Sequence, residues 1–475
     1  MIKLLFVSLP SALEVYKKTN VKLAAPSYPN LSLATIAGNL STDVTVDLID
    51  LDFYNDYIAV LKERIDSFKP DFIAMEVKTV TFNASERVSH FIRKNYPKIR
   101  IIAGGVHITT FAAELCKTDL YDSMVIGEGD FSLNHILNSN TDMPNILSQS
   151  DSVDHNVKKA NDFFALKKND RYVDIEKVAF PRWDLFNIQK YRNSHLTARA
   201  NPVGLIETSR GCAFQCNFCN KNTFGRFYRA KSVGRVVEEF KCLKAEGFKE
   251  VHIIDDSFTQ DLARAKSICE ELIRIGYDIP WSMFSGVRVD LVDQEFFHLA
   301  KRAGAWQVAF GIESGNQKIL DRINKKTKLQ QIEDSVSMAV KSGMETMGFF
   351  IIGLSGDTEK TIMDTINFAA KLPLSLAKFD ICIPYPGTPF YKELDAENRI
   401  LTKDWSKYIC HQTRVPLFEH PNLTWEQLDY YYNIAFRKFF LRPRFLWKRF
   451  IRDIKKGDLL SDVSYFTKSI LNKSW

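Results

Sequence analysis

No apolar run in this chain approaches the ~20 residues that a bilayer-crossing helix requires, so an integral membrane protein is not expected. A disulfide framework is missing too. Of eight cysteines, five (Cys116, Cys242, Cys269, Cys382 and Cys410) are scattered without regular spacing, which points to a reducing cytosol rather than an export route. Cys242 and Cys269 lie in helical patterns and read as small buried hydrophobes. Net charge is modest at +7, with 45% apolar and 25% charged residues, an ordinary balance for a globular protein. The opening run Met1–Pro10 reads as a first buried strand rather than a signal peptide, because strand–helix alternation follows at once.

The three remaining cysteines are concentrated. Cys212, Cys216 and Cys219 stand as C-x3-C-x2-C in the run Glu207-Thr-Ser-Arg-Gly-Cys-Ala-Phe-Gln-Cys-Asn-Phe-Cys219. Thiolates are soft ligands, and one short loop can present three of them to an iron–sulfur cubane. Three ligands leave one iron open, which marks a metal site that does chemistry. A structural zinc site would need a second Cys hook or histidines nearby, and neither follows.

This triad, with Phe218 just before its last cysteine, resembles the signature of the radical S-adenosylmethionine (radical SAM) enzymes. The resemblance implies a [4Fe-4S] cluster whose open iron chelates S-adenosylmethionine, and reductive release of a 5′-deoxyadenosyl radical. The cofactors carry that chemistry, and the protein supplies position and electrostatics.

With 475 residues the chain has room for two or three domains. Residues 1–140 alternate apolar strands (Lys3–Ser8, Val44–Ile49, Phe72–Met75, Ile101–Ala103, Ser123–Ile126) with helical patterns. That predicts an α/β, doubly wound, Rossmann-like domain whose ligand sits at the carboxyl ends of the strands. Two glycine loops stand there, Gly104-Gly105-Val106-His107 and Gly127-Glu128-Gly129-Asp130. Paired glycines let a backbone approach a flat ligand closely. In this order the loops resemble the cobalamin-binding domain that precedes many radical SAM cores, and Gly104, Gly105, His107, Gly127, Glu128 and Gly129 are the residues implied to hold cobalamin. The Asp-x-His-x-x-Gly motif that supplies a cobalt-ligating histidine in the methylmalonyl-mutase-like class is absent, so cobalamin without a protein histidine on cobalt is expected.

Residues 141–195 read as a polar, irregular linker around Asn145–Asn156, turning aromatic at Phe180–Phe186 where it packs across the domain junction. A second series occupies 196–400, with strands at Val203–Thr208, Glu250–Ile254, Trp281–Ser285, Trp306–Gly311, Thr346–Gly353 and Phe379–Ile383. Six parallel units predict a partial (β/α)6 barrel, with its site at the strands' carboxyl ends. By resemblance, Arg288 holds the methionyl carboxylate and Glu313 the ribose, while Asp256 faces cofactor or substrate. Arg210 is expected to neutralise the anionic cluster.

Residues 401–475 form a helical, aromatic and basic region, with Arg442-Pro443 separating two helices. A helical cap with a solvated basic face and a peripheral membrane surface both fit its composition; nucleic acid is not expected. The stretch Ala435–Pro443 resembles the tails of anaerobic magnesium-protoporphyrin cyclase-like proteins and hopanoid C-methylases.

Taken together, the expectation is a cobalamin-dependent radical SAM enzyme that C-methylates an unactivated carbon. A cyclase or rearrangement enzyme with the same cofactors is the alternative. A tRNA-modifying enzyme would bring further N-terminal cysteines and an RNA-binding barrel, and a non-catalytic carrier would not need the open-iron motif. Expected partners are a small-molecule or lipid-like substrate and a one-electron donor such as flavodoxin or ferredoxin, in the cytoplasm or peripherally at the inner face of the membrane.

Overall fold

The computed structural model describes residues 1–11, 27–410 and 415–456. Two six-stranded sheets dominate. The first comprises β1 (Ile2–Ser8), β2 (Val44–Asp50), β3 (Phe72–Glu76), β4 (Arg100–Gly104), β5 (Ser123–Val125) and β6 (Ile146–Ser148), in the order β2-β1-β3-β4-β5-β6. Its first five strands are parallel, and β6 runs antiparallel to β5. Strands β1 and β4 are near-continuous apolar runs because helices cover both faces. Between β1 and β3 the chain order reverses, which opens a crevice at their carboxyl ends.

The second sheet is wholly parallel and in chain order: β7 (Val203–Ile206), β10 (Glu250–Ile253), β11 (Trp281–Val287), β12 (Ala305–Glu313), β13 (Glu345–Ile352) and β14 (Leu376–Ile381). Six consecutive β/α units in one sheet make the expected partial barrel. The minor ribbon of β8 (Ser209–Arg210) and β9 (Arg229–Ala230) brackets the cysteine loop.

One expectation needs correction. Residues 145–156 are not irregular. Ile146–Ser148 adds the antiparallel edge strand, and Ser152 caps the helix Val153–Phe163 through the His155 amide at 3.2 Å. The polar composition hid both, since an edge strand of three residues gives little periodicity. Further on, the segment packs on both sheets. Trp183 meets Phe248 edge-on at 5.4 Å, and the Tyr191 hydroxyl donates to Asp50 at 2.6 Å. Pressed against the Phe180 carbonyl, Gly38 has no room for a Cβ, which would lie 2.1 Å from that oxygen.

The helix Trp425–Phe440 lies against β14 and the helix Glu359–Lys371, burying Leu428, Ala435 and Phe439. Arg442 ends it by donating to the Ala370 carbonyl, and a second helix, Pro443–Lys456, follows. Residues 457–475 of the expected helical region lie outside the described residues, and no described helix is long and apolar enough to cross a membrane.

Candidate functional site

The cysteine loop leaves the carboxyl end of β7. Asp255, at the end of β10, fixes its entry by accepting from the Thr208 amide (2.6 Å), the Thr208 hydroxyl (2.5 Å) and the Ser209 hydroxyl (2.6 Å). Burial pushes the Asp255 carboxyl up, and these donors oppose that shift. Gly211 adopts φ +80°, where a Cβ would meet the Phe227 carbonyl at 2.3 Å, so only glycine can turn the chain into the first cysteine. Downstream, the Asn324 amide holds the Gln215 carbonyl at 3.0 Å, and the Asn217 amide donates to Ile323 at 3.1 Å.

None of the three cysteines is in a disulfide; Cys212 is buried, and Cys216 and Cys219 are half-buried. Burial raises the Cys216 and Cys219 thiols; Lys325 and Arg288 act against this at Cys216, and Lys221 at Cys219. No described group of three His, Cys, Asp or Glu residues is gathered tightly enough for a single metal ion. A cubane takes its thiolates on separate irons, so its ligands stand further apart than those of one ion. Three soft donors on one loop, with cations beside two of them, fit an anionic cluster of that kind.

Around the loop, Arg288 lies past β11 with its guanidinium 3.4 Å from the centre of the Phe214 ring. Its Nε and Nη2 fork onto Asp290 at 3.0 and 2.9 Å, and Nη2 also donates to the Lys325 carbonyl at 2.8 Å. Glu313 ends β12 at φ +66°, a left-handed conformation that strains a non-glycine residue. Its Oε1 accepts from Lys325 Nζ at 2.8 Å. Asp256 accepts from the Gly211 amide at 3.2 Å. Phe218 is half-buried and packs on the hydrophobic core.

Between the two sheets lies a cavity of about 450 Å³. On one side Gly104, Gly105, Gly127, Glu128 and Gly129 line it together with Ile36, Met75 and Val125; on the other are Arg210, Lys221 and Asp256. At Gly104 a Cβ would make only ordinary contact with Val125, itself a lining residue. An apolar, glycine-rooted floor at the switch point of a parallel sheet fits a flat macrocycle such as cobalamin. Two of the other three loop glycines are also required by the protein's own packing. Gly105 (φ +103°) lies against the Val77 carbonyl and Gly127 (φ +69°) against the Phe163 ring.

Two expected residues have other work. His107 does not line the cavity. It is buried between Phe82 (4.3 Å) and Phe111 (4.8 Å) with Trp405 at 5.7 Å, its Nδ1 3.4 Å from the Thr79 hydroxyl. Burial drops its pKa to about 3, so it is neutral. Glu128 touches the cavity, but its carboxylate is occupied by Arg229 (2.9 and 2.6 Å) and the Val173 amide (2.7 Å).

The neighbouring pair was not expected. Arg210 forks onto Asp130 at 2.7 and 3.0 Å and donates to Glu207 at 2.6 Å. Burial alone would raise the Asp130 carboxyl, but the Arg210 charge and hydrogen bonds outweigh it and hold it below the usual range. Arg210 is therefore engaged by carboxylates rather than left to balance the cluster. Since Arg210 and Arg229 pair across the β8–β9 ribbon, the Gly127–Asp130 loop grips both strands that frame the cysteines. The sequence signal was available: two acids in one glycine loop, and an arginine on each side of the cysteine run.

Residues 206–369 match the radical SAM superfamily, and residues 18–137 match the B12 binding domain. An uncharacterized methyltransferase of Pyrococcus horikoshii is 32% identical over 427 residues, covering 88% of this chain and 89% of that protein. The chain belongs to the cobalamin-dependent radical SAM methyltransferase family. It is thus a radical SAM enzyme, with a [4Fe-4S] cluster, S-adenosylmethionine and cobalamin as its cofactors. The anaerobic magnesium-protoporphyrin IX monomethyl ester cyclase of Rubrivivax gelatinosus is 25% identical, over 94% of this chain and 80% of that one. In fold, this radical SAM enzyme is similar to the radical SAM methyltransferase TsrM of Kitasatospora setae (TM-score 0.63, 18% identity, 84% of this chain and 78% of that one).

Proposed function

We propose that this enzyme C-methylates an unactivated carbon of a small or lipid-like substrate, with Cys212, Cys216 and Cys219 as the cluster ligands. The chemistry supplied by the bound groups is reductive cleavage of the sulfonium to a 5′-deoxyadenosyl radical and delivery of a methyl group. Arg288 binds the methionyl carboxylate, already oriented by Asp290 and Phe214. Glu313, its carboxylate steadied by Lys325, binds the ribose hydroxyls, and Asp256 borders the substrate. Gly104, Gly105, Gly127 and Gly129 form the cobalamin floor. A one-electron donor of the flavodoxin or ferredoxin kind supplies the reductant, in the cytoplasm, with peripheral contact at the inner face of the membrane through the C-terminal region.

A single observation carries this reading. One cavity extends from the glycine loops of the first sheet to Asp256 and Lys221, two residues from Cys219, which supports a substrate held between the two proposed cofactor sites. Near-contact placement matters because ångström-scale misplacement of reacting groups costs about 10²-fold in rate. The cyclase reading is favoured by the Rubrivivax relative, which spans nearly the whole chain. Extracts of a deletion strain, incubated with the reconstituted enzyme and S-adenosylmethionine carrying a CD3 group, separate the two. Methylation replaces one hydrogen of a metabolite by CD3. A product that only loses hydrogens is cyclisation and refutes the proposal.

A further inference from the structure

The helix Pro443–Lys456 turns its apolar side outward. Phe445 and Arg449 are buried at 6% and 7% exposure. Leu446, Trp447, Phe450, Ile451 and Ile454 are exposed at 42%, 65%, 44%, 38% and 56%. At 100° per residue these five positions fall on one continuous arc, and positions 444, 455 and 448, all Lys or Arg, follow one edge of it, with Asp453 at the other. A solvent-facing stripe that includes Trp, Phe and two Ile is not what a helix capping a barrel requires. Charge identifies the occupant. Residues 437–456 contain nine Lys or Arg and one acid, Asp453.

We infer that this helix is an interfacial anchor that lays Trp447, Phe450, Ile451 and Ile454 into an anionic lipid surface. An apolar arc with cationic positions along one edge matches acyl chains beneath acidic headgroups. A second copy of the chain is disfavoured, because it would bring two helices of strongly basic sequence together. Residues 457–475 hold two Asp and two Lys, so they offer no complement to that charge. Nucleic acid would take the cations and leave the apolar arc in water. The inference deepens the proposed peripheral location and is independent of which carbon is methylated. An anchored enzyme would meet a membrane-resident or membrane-delivered substrate without its leaving the bilayer.

The test is co-sedimentation of the full-length protein with vesicles of phosphatidylcholine alone or mixed with phosphatidylglycerol, at low and high salt. At least ten-fold stronger partitioning onto the phosphatidylglycerol vesicles is expected, weakening as salt rises. The double variant Phe450→Asp/Ile454→Asp changes only exposed positions and should lose at least ten-fold of that binding. Its reductant-dependent 5′-deoxyadenosine formation should stay at the wild-type level, so failure here is distinguishable from failure of the functional reading. Brominated lipids should quench tryptophan emission of the wild type more than that of Trp447→Phe. Equal binding to both vesicle types, or binding unaffected by the double variant, overturns the inference. So does a wild-type dimer on gel filtration that the double variant disperses, since the arc would then be a self-association surface.

Discussion

Arg210 and Asp130 meet across the boundary between the two sheets, with Nη1 2.7 Å from Oδ2 and Nη2 3.0 Å from Oδ1, both side chains buried. Arg210 opens the cysteine loop, and Asp130 ends the glycine loop on the cavity's opposite wall. With Arg229 and Glu128 forming a second fork beside them, the spacing of the two cofactor sites is set by charged, bidentate geometry rather than by apolar packing alone.

Removing one partner should therefore cost more than a surface pair would. Asp130→Ala leaves a buried guanidinium with only Glu207 and the more distant Glu128 (3.6 Å) as acids, and should destabilise the protein by about 3 kcal/mol. The reciprocal exchange Asp130→Arg/Arg210→Asp should recover part of the loss. Urea midpoints of the three proteins check this; an unchanged midpoint in Asp130→Ala would show that the fork contributes nothing.

Arg288→Lys keeps the charge but loses the fork onto Asp290 and the flat contact with Phe214. Hydrogen bonds to charged groups contribute ~1.5–3 kcal/mol, so affinity for S-adenosylmethionine should fall about ten- to hundred-fold. Isothermal titration of the reconstituted protein measures it. The urea midpoint should move much less than the affinity.

His107 is placed to pack rather than to ligate. His107→Phe should keep cobalamin binding and its optical spectrum. The pH dependence has a definite sign. Folding disfavours the charged imidazole, so the contribution is complete above the ordinary value of 6.5 and disappears as pH falls toward about 3. Between pH 7 and pH 5 the wild type should lose about 2 kcal/mol relative to His107→Phe. Paired denaturation curves at the two pH values report the difference, and a variant that loses cobalamin would return His107 to the site.

Most of the strand–helix order was legible, because buried parallel strands are written as unbroken apolar runs, and the separation at Arg442-Pro443 read directly from proline. The edge strand Ile146–Ser148 was not, being too short for a pattern. At the site, the cysteine spacing pointed to an iron–sulfur centre, and Arg288, Glu313 and Asp256, proposed by resemblance, lie at or just past the ends of β11, β12 and β10. Partners were the hidden part. Glu128 looked like a ligand-binding acid until Arg229, 101 residues away, occupied it, and His107 looked like a loop polar group until three aromatic rings enclosed it. A linear sequence shows which groups a loop carries but not which of them the fold has already satisfied.

The most direct test is electron paramagnetic resonance of the anoxically reconstituted, dithionite-reduced protein, with and without S-adenosylmethionine, in the wild type and in the triple variant Cys212→Ala/Cys216→Ala/Cys219→Ala. The wild type should show a reduced [4Fe-4S] signal that changes when S-adenosylmethionine is added, and the triple variant should show none while its first sheet stays folded by circular dichroism. A wild-type signal indifferent to S-adenosylmethionine, or an unaltered signal in the triple variant, would contradict the assignment of that loop.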